Sequence, residues 1–242
     1  MNKDIYALLA KKLDELPNGF PVTESGVELR ILRTIFLPHE AEMALKMRSV
    51  PETADEIAER LGKPLIEMRT VLDDMARKGQ IGTSKMAGRQ VYRSVPFVVG
   101  IYEFQRRERL TKELAELFEE YLPLLSKKLG GHRPHVTRVI PVNQGIKADL
   151  QILQYEDVRQ IIKKANSFRV QDCICRREQG LLGNRCEHTL RNCLQYSMEE
   201  GAYDYFNLDG DVITKEEALL IIDETEKEGL VHNTYNVEEA IG

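Results

Sequence analysis

The sequence predicts an α+β protein that is mostly helical, with a helical N-terminal domain ending in a β-hairpin and a smaller, helical C-terminal domain. Three observations support this fold class. Apolar residues recur at helical spacing in most segments of the chain. Residues 81–92 instead contain two short strand-like runs around Met86-Ala87-Gly88. All four cysteines lie in the C-terminal part, between Cys173 and Cys193. The domains expected from these patterns are residues 1–98, a connecting segment 99–138, and a cysteine-bearing domain 139–242.

The N-terminal domain is predicted to contain five helices before its hairpin. Each combines an apolar stripe with a local start or stop signal, such as the break at Pro17-Asn18-Gly19 or the capping box Thr53-Ala54-Asp55-Glu56. The predicted helices cover residues 2–16, 27–36, 38–47, 53–62 and 65–78. Helix, short turn, helix and β-hairpin follow one another in the order of a winged helix-turn-helix, which is the fold predicted here.

The charge of this domain predicts weak affinity for DNA. Between residues 63 and 79, four basic residues stand against three acidic ones, whereas a helix that reads DNA needs a positive outer face. The hairpin carries Lys85, Arg89 and Arg93 without an acidic residue, so contact with phosphates stays an alternative. Winged helices also serve as protein-interaction or dimer modules, and DNA binding is the less favoured interpretation.

The connecting segment is predicted to hold an amphipathic helix at residues 108–122 and a basic, irregular linker at 127–138. The helix is expected to pack within its own chain, with homodimerisation through it and the winged helix as the alternative. In the C-terminal domain, the patterns predict three strands and three helices. The strands are expected at residues 139–142, 167–170 and 230–231, and the helices at 155–165, 189–199 and 214–227.

The four cysteines are the strongest candidate for a functional site. Cys173, Cys175, Cys186 and Cys193 are spaced C-x-C-x10-C-x6-C, and the chain has no other cysteine. Disulfides are typical of secreted proteins, and nothing in the sequence indicates secretion. Unrelated buried thiols would not be expected to crowd into so short a segment. The clustering therefore favours a metal or iron–sulfur site.

The residues themselves leave the metal open. Cys173 and Cys175 are expected on one side of an extended loop, and the predicted helix 189–199 would bring backbone N–H groups close to Cys193. Arg176, Arg177 and Arg185 lie between the cysteines and would stabilise the negative charge of either four-thiolate zinc or a [4Fe–4S] cluster. His188 is an alternative ligand in place of one thiolate, but a surface histidine is the favoured interpretation.

The pattern Cys173-Ile174-Cys175-Arg176, followed by Cys186 and Cys193-Leu194, resembles a family of anaerobic 4Fe–4S-binding, ferredoxin-type proteins whose N-terminal part looks like a winged helix. The segments FPVTESGVELRILRTIF, PFVVGIYEFQ and KEEALLIIDETEKEGLVH are also typical of that family, so the resemblance covers most of the chain. It implies that the four cysteines hold one [4Fe–4S] cluster. Family members usually continue past the point matching residues 236–242 into further cysteine motifs, which this sequence does not contain.

The charge distribution narrows the classes of partner and function that the sequence predicts. The net charge is −5, and the surplus lies in residues 146–242, where 11 basic residues stand against 19 acidic ones. This charge disfavours nucleic acid around the cysteines and suits a basic protein partner. No long apolar run predicts a signal peptide or membrane span, so we expect a cytoplasmic protein. No nucleophile–base pair or phosphate-binding glycine loop indicates an independent enzyme.

The function predicted from these observations is electron transfer between redox partner proteins or oxidoreductase subunits, carried by one [4Fe–4S] cluster, in anaerobic metabolism. Two alternatives stay open. In one, the protein is a cluster-sensing transcription regulator with a winged helix; in the other, zinc staples an interaction module.

Overall fold

The computed structural model describes residues 4–105, 107–131, 137–140, 158–204 and 210–235. It is an α+β structure. Within the described residues the elements, in chain order, are α1 (Ile5–Asp14), α2 (Val27–Ile35), α3 (Pro38–Lys46), β1 (Glu52–Thr53), α4 (Ala54–Leu61), α5 (Leu65–Arg77), β2 (Gly82–Met86), β3 (Arg89–Arg93), α6 (Lys112–Gly130), β4 (Thr137–Ile140), α7 (Val158–Lys164), β5 (Ser167–Asp172), α8 (Ile174–Leu181), β6 (Arg191–Ser197), β7 (Asp211–Ile213), α9 (Lys215–Lys227) and β8 (His232–Tyr235).

The chain divides into two compact units, which differ from the predicted domains in one important way. Unit 1 comprises Met1–Gly131, Ile174–Cys186 and Tyr205–Asp209. Unit 2 comprises His132–Cys173, Glu187–Asp204 and Gly210–Gly242. The segment between the second and third cysteines thus belongs to the unit that contains the N-terminal helices.

Unit 1 contains the five helices predicted for its N-terminal part, because their local signals act as expected. In the capping box of α4, the Thr53 hydroxyl accepts a hydrogen bond from the backbone N–H of Glu56, whose carboxylate accepts one from the Thr53 N–H at 2.7 Å. The predicted hairpin is also present. Its two turn residues, Ala87 and Gly88, both have positive φ, which matches the right-handed twist of the strands. With β1, the hairpin forms an antiparallel sheet of order β1-β3-β2.

An aromatic cluster fills the core of unit 1. The Phe97 ring lies 4.4 Å from Phe20 and between 6.0 and 6.3 Å from Tyr102, Phe118 and Tyr121, measured between ring centroids. Phe97 is completely buried. The sequence around it is a short apolar run with neither helix nor strand periodicity, yet the Phe97 side chain lies at the centre of the core, where tilted and edge-on aromatic contacts stabilise the packing.

Helix α6 is longer than predicted. It begins at Lys112, after the Thr111 side chain accepts a hydrogen bond from the Leu114 N–H at 3.1 Å, and it continues past Pro123 to Gly130. The prediction that the helix ends near residue 122 is therefore wrong. Leu125 is almost fully buried, and burying an apolar stripe on both sides of the proline offsets the backbone hydrogen bond that proline removes.

The basic linker predicted at residues 127–138 is only partly a linker. Its first four residues belong to α6, where the ammonium group of Lys128 lies 2.5 Å from an Asp14 carboxylate oxygen. Thr137 and Arg138 begin β4. Positions 132–136, including both histidines of this segment, fall outside the described residues.

Unit 2 has more strand than the sequence predicts. Its main sheet has the antiparallel order β6-β5-β7, and β4 pairs with β8. The apolar face of the main sheet packs on α7 and α9 through a small core: Val158, Ile162, Ala165, Phe168, Ala218 and Ile222. The helix predicted at residues 189–199 is wrong, since β6 occupies this segment. Leu194 and Tyr196 both pack against the core, and this two-residue period is that of a strand.

Candidate functional site

The first two cysteines lie at the junction between β5 and α8. The backbone N–H of Cys173 donates to the Leu190 carbonyl oxygen at 2.8 Å, and α8 begins at the next residue. Cys175 is therefore in the first turn of a helix, and the extended loop predicted around these two cysteines is wrong. Ile174, only 6% exposed, packs into the core of unit 1, and this burial favours the helical path. The Cys175 side chain is exposed.

The insert between Cys175 and Cys186 is mainly helical. Helix α8 continues to Leu181 and is followed by a turn in which Gly183 has a φ of +89°, a conformation that glycine adopts without strain. Arg176 and Arg177 lie in α8 and are half-buried, whereas Arg185 is exposed in the loop. Their role beside the cysteines stays a prediction.

Helix α8 holds a buried carboxyl group that the sequence does not predict. Glu178 is 4% exposed, and burial raises its pKa to about 7, with further contributions from Glu119 and Glu103 and an opposing one from the Tyr102 hydroxyl. Glu178 Oε1 and Tyr102 Oη are both fully buried. The neighbouring Gln179 amide donates to Glu119 Oε1 at 2.7 Å, so α8 is attached to α6 by polar as well as apolar contacts.

The fourth cysteine lies in β6, directly opposite Gln171 of β5. The Gln171 side-chain amide donates to the Cys193 sulfur across 3.5 Å. Arg169 and Gln195 form the next pair on this polar face of the sheet, with Arg169 Nη1 donating to Gln195 Oε1 at 3.2 Å. Because Cys193 lies in a strand, the predicted stabilisation by a helix N-terminus at residues 189–199 no longer applies. No local signal in the sequence predicts the pairing with Gln171, because it joins residues 22 positions apart.

His188 forms an ion-pair contact at the end of α9. Its Nδ1 lies 3.4 Å from Glu228 Oε2, and the backbone N–H of Thr189 donates to the same carboxylate at 3.0 Å. The side chain is about half exposed. This arrangement suits a surface histidine that fastens the loop to the end of α9.

None of the four cysteines is in a disulfide, which excludes disulfide pairing among them in this structure. Cys175 and Cys186 belong to unit 1, and Cys173 and Cys193 belong to unit 2. Within the residues that the structure describes, no three His, Cys, Asp or Glu side chains form a group that could hold a metal ion. The same residues include no helix of sufficient length and apolarity to span a bilayer.

Searches against models of protein families, curated proteins and solved structures find no match to this chain.

Proposed function

We propose that the chain is an iron–sulfur protein that binds one [4Fe–4S] cluster through Cys173, Cys175, Cys186 and Cys193 and transfers electrons between protein partners. One observation carries the proposal. Four thiols lie within a single short segment, none is oxidised to a disulfide, and each is at least partly accessible. Thiolates must be reduced and reachable to accept iron.

The donor set suits this group in number and kind, because four cysteine thiolates complete the coordination of a [4Fe–4S] cluster. No three of these cysteines form a metal-holding group among the described residues, so cluster binding requires that they be brought together. When bound, such a cluster supplies a one-electron couple. The protein would supply charge compensation. Arg176, Arg177 and Arg185 all lie in the cysteine segment, where cations stabilise an anionic centre and can mark the face that a partner approaches. The resemblance to the ferredoxin-type family supports the same proposal.

The N-terminal part of unit 1 is proposed to be a winged helix-turn-helix that contacts protein rather than DNA. The order α3, β1, α4, α5, β2 and β3 supports that fold. Several of its basic residues are engaged with acids. Arg77 pairs with Asp74, the Lys78 ammonium lies 2.6 Å from a Glu40 carboxylate oxygen, and an Arg89 nitrogen lies 3.6 Å from an Asp55 oxygen. Such pairing lowers the positive potential available to phosphates.

The test is anaerobic purification of the full chain, followed by iron, sulfide and zinc analysis and an optical spectrum. We expect a brown protein with about four irons and four sulfides per chain. Replacing each cysteine in turn by serine should remove or strongly reduce the iron content. His188→Ala is the matched control, since this residue lies within the cysteine segment yet is bound to Glu228, and it should retain the iron.

Other results would overturn the proposal. One zinc per chain with no visible absorption would identify the zinc-stapled module instead. Iron loading together with tight, salt-dependent binding of a specific duplex would identify the transcription regulator. Equal iron content in the wild-type protein and all four Cys→Ser variants would show that the cysteines are not the ligands.

A further inference from the structure

The groove between α2 and α6 carries charges of opposite sign on its two walls. Its volume is about 760 Å³. Arg30 and Arg33 line it from α2, and Glu113, Glu116 and Glu120 line it from α6. The spacing within each set is three or four residues, so each helix presents one row of like charges along the groove. We propose that a second copy of this chain docks on the groove, with each charged row facing the opposite row of the partner.

The arrangement of the charges selects a second copy as the occupant. A uniformly basic partner would match the glutamate row on α6 but oppose the arginine row on α2, and a uniformly acidic partner would do the reverse. A second copy matches both rows at once. When the twofold axis runs along the groove, the arginine row of each copy faces the glutamate row of the other. Every favourable contact then occurs twice.

The ion pairs within one chain leave these charges accessible to a partner. Arg30 and Glu120 lie 2.6 Å apart, and both side chains are more than 40% exposed. Arg33 pairs with Asp4 and is also about half exposed. Exposed ion pairs contribute little net stability, because water solvates the separated charges well. Replacing a pair within the chain by a pair between two copies therefore costs little.

The dimer is expected to be weak and sensitive to salt. The glutamate row spans roughly 10 Å along α6, at the usual helical rise per residue. Leu117 also lines the groove, but it is only 9% exposed. The side chains of Glu116 and Lys112, 3.7 Å apart, are both more than half exposed. So short a patch buries less apolar area than an obligate dimer needs, so attraction between the rows must supply most of the association, and salt screens it.

Sedimentation velocity of the full chain over a range of protein concentrations measures the association. We expect a monomer–dimer equilibrium whose dissociation constant rises at least about tenfold between about 50 and 500 mM salt. Glu113→Lys with Glu116→Lys reverses most of the α6 row, and Arg30→Glu with Arg33→Glu reverses the α2 row. Each double variant alone should dimerise at least about tenfold more weakly than wild type. An equimolar mixture should restore the dimer, because one variant is then positive where the other is negative.

Glu59→Lys with Glu67→Lys is the matched control for the glutamate variant. Both positions are exposed, lie in α4 and α5, and do not line the groove. The control changes the net charge equally and should leave the dissociation constant unchanged. Far-ultraviolet circular dichroism shows whether each variant is folded. If the arginine variant does not fold, the comparison of the glutamate variant with its control still decides.

Several results would overturn the proposal. One is a wild-type chain that stays monomeric at low salt at every protein concentration. Another is a dimer that survives the reversal of the α6 row, or one that the control weakens equally, since net charge rather than the groove would then govern association. A mixture of two folded variants that stays monomeric would show that the rows do not face each other. None of these results depends on the iron content of the chain, so this inference and the proposed function fail separately.

Discussion

At the scale of single residues, Glu178 makes the stability of the protein depend on pH. Its pKa is about 7 in the folded chain against an ordinary value of 4.5, with burial as the main cause. The folded state therefore holds a proton that the unfolded state has released between these two values. The stabilisation from the protonated carboxyl is fully present below pH 4.5 and is lost as pH rises through about 7, a difference of up to about 3 kcal/mol.

Urea unfolding at pH 5 and pH 8 tests this prediction. Glu178→Gln keeps a neutral side chain of the same shape, so it should remove most of the loss of stability between the two pH values. Glu187→Gln, an exposed position in the same segment, should leave the wild-type difference intact. A wild-type protein equally stable at both pH values would contradict the assignment.

Lys12 stabilises unit 1 through backbone contacts rather than an ion pair. Its ammonium group donates to the carbonyl oxygens of Ala44 at 2.8 Å, Leu45 at 3.1 Å and Met47, around the C-terminal end of α3. The Ala44 carbonyl also accepts a hydrogen bond from the Met47 N–H at 3.3 Å, and the negative end of the helix dipole favours a cation at this position. Lys12→Met keeps the aliphatic stem and should cost about 1–3 kcal/mol of unfolding free energy.

The exposed neighbour Lys11 provides the comparison for that measurement. Lys11→Met should change the free energy of unfolding, measured by urea denaturation, by less than about 0.5 kcal/mol. Equal effects of the two substitutions would show that the three carbonyl contacts contribute little.

At the scale of elements, local signals predict helices well and long-range pairing poorly. The capping boxes at Thr53 and Thr214 both form, because every atom involved lies within four residues. Leu190 and Leu194, just before and within β6, are four residues apart, a spacing that suits a helix as well as a strand. Only its pairing with β5 decides between them. The burial of Glu178 depends on distant α6 in the same way, and no local pattern announces it.

Pro123 gives an element-scale prediction. It lies inside α6, where it lacks the N–H group that would donate to the preceding turn. Pro123→Ala should restore that bond and stabilise the protein by about 1–3 kcal/mol in thermal or urea unfolding. Pro38→Ala is the matched control. Pro38 is the first residue of α3, where the missing N–H costs nothing, so no gain is expected there. A Pro123→Ala protein no more stable than wild type would contradict the helix geometry.

At the scale of the whole molecule, net charge gives a prediction about DNA binding. The net charge of −5 opposes approach to a polyanion, and the ion pairs of the N-terminal region neutralise much of its basic surface. We expect the full chain to bind a random DNA duplex more weakly than the roughly 10⁻⁴–10⁻⁶ M typical of non-specific DNA-binding proteins at physiological salt. Fluorescence anisotropy with a labelled duplex measures this directly.

A charge-altered variant shows whether the acids, rather than the fold, prevent DNA binding. Asp73→Asn with Asp74→Asn removes two negative charges from α5 and releases Arg77 and Lys78 from one of their partners. If a winged helix is present, this variant should bind the duplex more tightly than wild type, with a steeper dependence on salt. The same two substitutions leave the cysteine segment untouched, so the iron content should not change. Tight DNA binding by the unaltered protein would mean that the basic hairpin outweighs the acidic remainder of the chain. The proposal of an electron carrier would then give way to that of a transcription regulator.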